Sequence, residues 1–597
     1  MLPCLVVAFV LRAYGLDWDR GLYFHPDERR ILMVVEALHW PQDVVDLLAP
    51  ASSLNPRFFA YGSLPIYTLR LLASLAGLWR GVWASMSRFC LLGRLLSALL
   101  DTLTVLATYI LAYKVFNRRV AVLAAWLVAL TVLHIQLAHF YTVDTMLTTL
   151  VMLAVIKAVD VAREGRVKDG AVLGVCLGAA MASKFSALPL GFVLVLAWLA
   201  YGWQVRAGVG SACGKLRTVW RQVRRAALVS AGVAIIAFLL LEPYAAIDWY
   251  HFGEGIGQEV GMSQGWFDFP YTRQYAGTAP FVYMLQQILL FAAGVPLGLL
   301  GLAGLAWLVV GTARRRTASL VVFLSWPLLY GALQGLAYAK FIRYALPLLP
   351  FLCISGAAMW VSVWEGLRRS THVARPRFLL QSGWLLVVGA VLVCTSFYAL
   401  AFLNVYRQVH PWIQASAWLC EHAPEGSTLL VEYWDDPLPV GPGNDGDGCA
   451  RQYTHMQLDM YSLEGEGQSE VLLEALQRSD YIVLSSQRLY APITRLSHRY
   501  PLASRYYQQL FAEQLGFRLV AAPTVFPQLA GVALVDDPRA GLTLSVPPLL
   551  AERVPPGLAL SLGQADESFT VYDHPQPLVF QKVRPLNHEE LQGLLGL

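Results

Sequence analysis

The residues best equipped for chemistry begin at His25-Pro26-Asp27-Glu28-Arg29-Arg30. Two carboxylates stand side by side, followed by two guanidinium groups. Neighbouring positions on a helix point about 100° apart, so the two acids need not serve one ligand. One can act as a base while the other binds a cation or orients a partner. Proline followed by acids is also a helix start, with Pro26 in the first turn, and both readings can hold together. A further acid stands in His139-Phe140-Tyr141-Thr142-Val143-Asp144, where Asp144 either caps the next helix or joins Asp27 at a site. Arg94 and Asp101 share one face of an apolar helix. They read as a buried ion pair or bundle contact, or else Arg94 holds an anionic headgroup. Tyr338-Ala339-Lys340-Phe341-Ile342-Arg343-Tyr344 supplies two cations, which address one anion if the stretch is helical and then suit a phosphate. Lys184, in Ser183-Lys184-Phe185, is another cation. Snorkelling to lipid headgroups competes with a binding role at all three.

The elements that must position these groups are membrane helices. The chain is 56% hydrophobic and 14% charged, with 18 Trp, 27 Tyr and 26 Phe and a mean hydropathy of +0.50. That is the composition of a polytopic membrane protein with aromatic belts. Apolar runs near 1–14, 89–113, 119–138, 145–160, 170–183, 186–203, 226–242, 282–311, 318–337, 344–364 and 379–402 predict about eleven spans. The first run is about half of a spanning length and has neither a charged leader nor a cleavage site, so it reads as the end of a span that begins upstream. Alternate loops are basic: Lys114, Arg118 and Arg119; Arg163, Arg166 and Lys168; the run from Arg206 to Arg225; Arg314, Arg315 and Arg316; Arg368, Arg369, Arg375 and Arg377. The positive-inside rule makes these cytoplasmic. Residues 15–88, 139–144, 243–281, 338–343 and the tail from about 404 then lie outside, which brings Asp27, Asp144, Lys340 and Arg343 to one face. The net charge of +5 belongs to the basic loops, and no basic run interleaved with aromatics points to nucleic acid.

The tail changes character. Strand-like runs at Thr428 to Glu432, Tyr481 to Ser485, Phe517 to Ala522 and Leu578 to Val583 alternate with helical patterns at 411–422, 468–478 and 500–515, with turn residues between Pro437 and Gly448. This predicts a small α/β domain over 404–597. Glu432, Asp435 and Asp436 form either a solvated acidic turn or an acidic rim over a catalytic mouth. Six of the eight cysteines fall in or beside apolar runs, with no metal-binding spacing. Cys420 and Cys449 can pair if the tail is exported.

Taken in order, the HPDE cluster, HFYTVDTM, ASKFSALPL, EPYAAIDW and KFIRYALPLLP resemble motifs of the GT-C glycosyltransferases. The closest branch is the polyprenyl-phosphate-dependent protein mannosyltransferases and aminoarabinose transferases, and the resemblance covers roughly residues 5–402. The tail, with VEYWDDPLP and ADESFTVYDHP, resembles that of bacterial members. It carries no recognisable β-trefoil of the eukaryotic kind, which argues against a protein acceptor. The resemblance implies a GT-C transmembrane domain over 1–403, with its catalytic acids in the first extracytoplasmic loop at 15–88, followed by an extracytoplasmic α/β domain. It implies a multi-pass plasma-membrane enzyme that takes a sugar from a polyprenyl-phosphate donor. The acceptor is a protein, lipid or glycan hydroxyl. Asp27 matches the catalytic aspartate and is the implied base. Glu28 would orient the acceptor or support Asp27, and Asp144 would orient donor or acceptor. Lys340 and Arg343 would hold the phosphate, with Arg94, Lys184 and Tyr344 in the same binding set and His25 at the sugar. Phosphate leaves readily, so one base and nearby cations suffice. No cofactor is implied, and the need for a divalent cation is left open.

Two other classes compete. A transporter or lipid flippase would use the same charged face for binding, but the inverted repeats typical of transporters are not visible in the sequence. A non-catalytic scaffold would not require Asp27.

Overall fold

The computed structural model describes residues 1–80, 86–209, 213–315, 317–369, 374–440, 449–465, 467–552 and 557–597. Arg316 and the 441–448 part of the expected turn region Pro437 to Gly448 lie outside the described residues. The chain divides into two compact units. The first contains Met1–Leu16, Pro26–Phe267 and Gly277–Ala399; the second contains Asp17–His25, Asp268–Ala276 and Leu400–Leu597. The sequence boundary at 403/404 thus becomes Ala399/Leu400, and two short segments from earlier in the chain pack with the tail.

The first unit is a bundle of apolar helices. Among the described residues, eight helices are long and apolar enough to cross a membrane, or nine if the bent pair Arg118–Ala129 and Val132–Ala138 is one span. The other two expected spans are shorter: Leu2–Ala13 has 12 residues and Val167–Ser183 has 17. The expected run at 282–311 is interrupted, with a π-helical turn at Ile288–Ala292 before the Val295–Arg315 helix. Helix ends follow local chemistry. The Asn117 side chain accepts from the amides of Arg119 and Val120, and left-handed Gly165 ends the Val143–Glu164 helix.

The bent pair kinks by 56°, which frees carbonyls that cannot reach water inside a bilayer. Arg12 meets them, donating to Val128 O at 3.2 Å and Ala129 O at 2.9 Å. Asp101 balances the charge, 2.6 Å from Arg12 Nε and 2.7 Å from His134 Nδ1. Asp101 is therefore not the partner of Arg94. Close approach of backbones supplies the rest of the packing. Val167–Ser183 lies so tightly on Cys213–Leu241 that a Cβ on Gly178 would stand 2.5 Å from Ala234 O.

The second unit is α/β. Its main sheet contains β1 (Thr428–Glu432), β2 (Thr454–Leu458), β3 (Tyr481–Leu484), β4 (Phe517–Ala521) and β8 (Leu578–Lys582) in the order β2-β1-β3-β8-β4. The first three strands are parallel, while β8 is antiparallel to β3 and β4. A smaller sheet of β5 (Gln528–Leu529), β6 (Val532–Asp536) and β7 (Leu558–Gly563) follows. β3 is buried along its whole length, as expected of a central strand carrying only apolar side chains. The helices Gln468–Arg478 and Pro501–Phe511 turn leucine and tyrosine faces into the core. A disulfide joins Cys420 to Cys449, with Cα atoms 5.7 Å apart.

Within this unit the acidic VEYWDDPLP segment is not a solvated turn. Glu432 accepts from the Tyr507 hydroxyl, and Asp435 pairs with Arg488 at 3.2 Å and accepts from Ser486. Glu567 is buried too, and burial pushes its carboxyl up to about 8 from an ordinary 4.5, a rise that Arg488 opposes. A raised acid favours the fold while it is protonated, so that stability is full below about 4.5 and is lost as pH rises through 8.

Two outcomes follow for the full chain in detergent. Glu567→Gln raises the unfolding midpoint of the second unit at pH 9 by several degrees and changes it far less at pH 5. Gly178→Val lowers the midpoint of the helical unit by an amount equivalent to about 2 kcal/mol or more, because a backbone carbonyl cannot move aside. Thermal melts followed by circular dichroism and tryptophan fluorescence read both.

Candidate active site

The first unit gathers most of the singled-out residues around Asp27. Pro26 opens the Pro26–Ala37 helix, so Asp27 and Glu28 stand in its first turn, where the helix dipole favours negative charge. Their different directions give them different surroundings. Glu28 turns inward and is fully buried, and both its oxygens accept from Arg94, Nε at 2.9 Å and Nη2 at 2.6 Å. It also accepts from the Tyr141 amide at 2.7 Å. Asp27 keeps a quarter of its side chain exposed and pairs with Arg343.

HFYTVDTM is the strip against which this turn is set. His139 Nε2 meets Tyr14 O at 2.8 Å. Tyr141 binds Glu28 through its amide and Pro65 O through its hydroxyl, at 2.6 Å. Asp144 lies in the first turn of Val143–Glu164, whose cap position is Thr142, and its carboxylate takes Lys184 Nζ at 2.9 Å. Lys184 occupies the break between Val167–Ser183 and the 3-10 turn Phe185–Ala187. It lies over the Tyr344 ring at 4.4 Å and near the Tyr61 ring at 6.0 Å. Lys184 is therefore an inward, paired cation and not a snorkelling one.

KFIRYALPLLP forms a 3-10 helix only from Ile342 to Leu348. Lys340 precedes it, so the expected helical pairing of Lys340 with Arg343 does not form. Lys340 Nζ instead donates to Thr278 Oγ1 at 3.2 Å and Tyr338 O at 3.1 Å, and burial holds its ammonium below the usual range. Arg343 Nη1 meets Asp27, and its buried Nε has no acceptor among the described residues. The Tyr344 ring is near both cations, 4.4 Å from Lys184 and 5.8 Å from Arg343.

Arg94 and His25 stand in other surroundings than expected. Arg94 is wholly buried, and its remaining Nη1 donates to Leu16 O at 2.7 Å, so no face is left for a headgroup or phosphate. It positions Glu28. His25 belongs to the second unit, where its buried ring packs on Tyr572 at 4.0 Å.

Tyr61, Glu242 and Glu259 are site residues that the sequence reading gave no role. Tyr61 is held well above the usual phenol range, first by burial and then by the negative charge of Asp27. Its neighbour Gly62 crosses the end of the Val167–Ser183 helix so closely that a Cβ would meet Ala182 O at 1.9 Å. Glu242 accepts from both the amide and hydroxyl of Ser63, and so fixes the start of the Ser63–Arg80 helix just after Tyr61. It lies in EPYAAIDW, whose Tyr244 and Asp248 also grip the first loop, at Leu47 O (3.1 Å) and Asn55 Nδ2 (2.8 Å). Glu259, on Trp249–Gln264, is raised above its ordinary range by burial, an effect that Lys184 and Arg343 oppose and Asp27 adds to. It lines a cleft of about 640 Å³ together with Arg57, Phe58, Asp248, His251 and Glu254. The only signal for Glu242 was its place in an apolar-flanked motif; Glu259 carried none.

Residues 91–208 match the family described as dolichyl-phosphate-mannose-protein mannosyltransferase. The archaeal oligosaccharyltransferase AglB from Archaeoglobus fulgidus, in complex with an inhibitory peptide and a dolichol-phosphate, superposes with a TM-score of 0.50 at 15% identity, covering 87% of this chain and 72% of that one. An Archaeoglobus fulgidus oligosaccharyltransferase tethered with an acceptor peptide gives 0.51 at 13% identity, covering 97% of this chain and 88% of that one. The chain has the fold of these oligosaccharyltransferases, a GT-C fold. ArnT from Cupriavidus metallidurans bound to undecaprenyl phosphate superposes at 0.44 with 15% identity, covering 83% of this chain and 93% of that one. Compared by sequence with curated proteins, the chain has no significant match. Among the described residues, no group of three or more His, Cys, Asp or Glu side chains is arranged to hold a metal ion.

Removing one member of a buried ion pair leaves the other uncompensated at a cost of about 3–5 kcal/mol, whereas replacing both with apolar groups is far milder. Arg94→Met alone is therefore expected to collapse the unfolding midpoint and the yield of folded protein. The double variant Glu28→Leu/Arg94→Met recovers most of both, as measured by size-exclusion chromatography and thermal melting.

Proposed function

We propose that this GT-C protein is an inverting glycosyltransferase that moves a sugar from a polyprenyl-phosphate donor to an acceptor hydroxyl on the extracytoplasmic face. The observation that carries the reading is Asp27: a partly exposed carboxylate at a helix start, paired with Arg343 and next to a second acid–cation pair, Asp144 and Lys184. Asp27 takes the acceptor proton as the acceptor oxygen bonds to the anomeric carbon. The bond from that carbon to the phosphate oxygen breaks, and polyprenyl phosphate departs toward Arg343 and Lys184. One displacement inverts the configuration. Before donor binds, Arg343 holds the Asp27 carboxylate in place. A bound phosphate competes for the guanidinium, which frees the carboxylate to act as a base when donor is present. Asp144 holds Lys184 in place, and Tyr344 and Tyr61 wall the pair.

The Glu259 cleft is the proposed approach for the acceptor. Its acids and His251 suit a polyhydroxylated molecule. AglB, with which the chain shares its fold, was captured with a dolichol-phosphate, in keeping with a lipid-phosphate donor here. Loop basicity supports the orientation, and the Cys420–Cys449 disulfide fits an oxidising compartment outside the cytoplasm.

The test uses purified full-length protein with a panel of polyprenyl-phosphate sugars, scoring release of polyprenyl phosphate and the configuration of the product. Asp27→Asn lowers transfer by about 10²–10⁴-fold with the fold intact. Equal transfer by Asp27→Asn, or a product of retained configuration, overturns the mechanism. Lys184→Met raises KM for the donor and lowers kcat, since both its binding and its charge at the leaving group are lost.

A further inference from the structure

The Met86–Val115 helix leads away from the Asp27 site. Arg94 stands near the site, and Lys114 is 20 residues on, about 30 Å along the axis. At that far end a groove of about 890 Å³ opens between the helices Arg118–Ala129, Leu349–Arg369 and the first-unit part of Ala374–Arg407. Its walls are largely apolar, with Trp126, Trp360, Trp364 and Leu392 along them, and Arg118 and Arg119 stand at one end. Trp384 Nε1 donates to Trp360 O at 3.2 Å and ties two of the walls together.

Three features separate this groove from a plain lipid-facing surface. The first is charge. Arg118 and Arg119 are exposed, and Arg369 stands nearby, yet the carboxylate that Arg119 and Arg369 share is Glu365, at 3.1 and 3.6 Å. Arg118 has no carboxylate partner among the described residues. The second is an unmet donor: the indole N–H of Trp360, shielded from solvent, has no acceptor among the described residues. The third is amphipathy. Three indoles beside two guanidiniums match the boundary where apolar chains meet phosphate headgroups.

We propose that this groove is a seat for one anionic glycerophospholipid, with its phosphate at Arg118 and Arg119 and an acyl chain along Trp126, Trp360 and Leu392. The polyprenyl-phosphate donor is a poor fit for the same seat. Its phosphate must reach Arg343 and Asp27, about 30 Å away along the Met86–Val115 helix. The lipid here is bound and not consumed, and it joins the Ala374–Arg407 helix to the rest of the bundle. The inference does not depend on the proposed transfer reaction.

The experiment strips the full-length protein of lipid in detergent and titrates back dioleoylphosphatidylglycerol, dioleoylphosphatidylcholine or undecaprenyl phosphate. Unfolding midpoints are followed, and retained lipids are counted by native mass spectrometry. Phosphatidylglycerol is expected to raise the midpoint and to be retained as a single copy, while phosphatidylcholine does neither at the same concentration. Arg118→Gln/Arg119→Gln weakens the phosphatidylglycerol response about 30-fold, the effect of two cations at a membrane surface. Leu392→Trp, which fills the groove and leaves the charges, abolishes single-copy retention and provides the reading if the arginine variant does not fold. Equal responses to the two phospholipids, an unaltered response in both variants, or preferred retention of undecaprenyl phosphate each overturns the proposal.

Discussion

The arrangement of the candidate site depends on a carboxylate that faces no solvent. Glu28 is buried in a bundle with little polar surface, and a charge there is tolerated only if it is paired and its oxygens are satisfied. Arg94 and the Tyr141 amide do this together. Because Arg94 belongs to one helix and Tyr141 to the HFYTVDTM strip, satisfying Glu28 fixes the start of the Pro26–Ala37 helix in three dimensions. Asp27, one residue away and turned by about 100°, is then directed outward to Arg343. A position for the proposed base has been obtained by burying its neighbour.

The same economy recurs in the first unit. Arg12 closes the carbonyls of a kinked span while Asp101 and His134 balance it. Glu242 fixes the helix that follows Tyr61, while Tyr244 and Asp248 hold the first loop. In each case a charge that composition would forbid is kept because it ties elements distant in the chain. The ties of Glu28 and Glu242 hold the segments that carry Asp27 and Tyr61.

Much of this was legible in one dimension. Hydropathy marked the helical unit, and period and turn residues marked β1, β3, β4 and β8 within a residue. Pro26 with its acids announced a helix start. Partner choice was not legible. Arg94 and Asp101 share a helix face, yet each pairs across the bundle, because i and i+7 neighbours on one helix lie about 10 Å apart along the axis and opposite charges on other helices come closer. Lys340 and Arg343 looked like a helical pair, but the 3-10 helix starts between them. His25 stands two residues before Asp27 in sequence but groups with the second unit, where its ring packs on Tyr572.

The sequence by itself determined that the protein is a membrane bundle with an α/β tail, and it named the acids and cations that could react, because composition, periodicity and motif order are properties of the chain alone. Only the tertiary structure decided which of two adjacent acids is buried and which is partly exposed, that Arg94 serves Glu28, and that Tyr61 and Glu259 lie within the field of Asp27. Those outcomes are set by which charges meet across sequence separations of tens to hundreds of residues, where the cost of leaving a buried charge unpaired selects the partner.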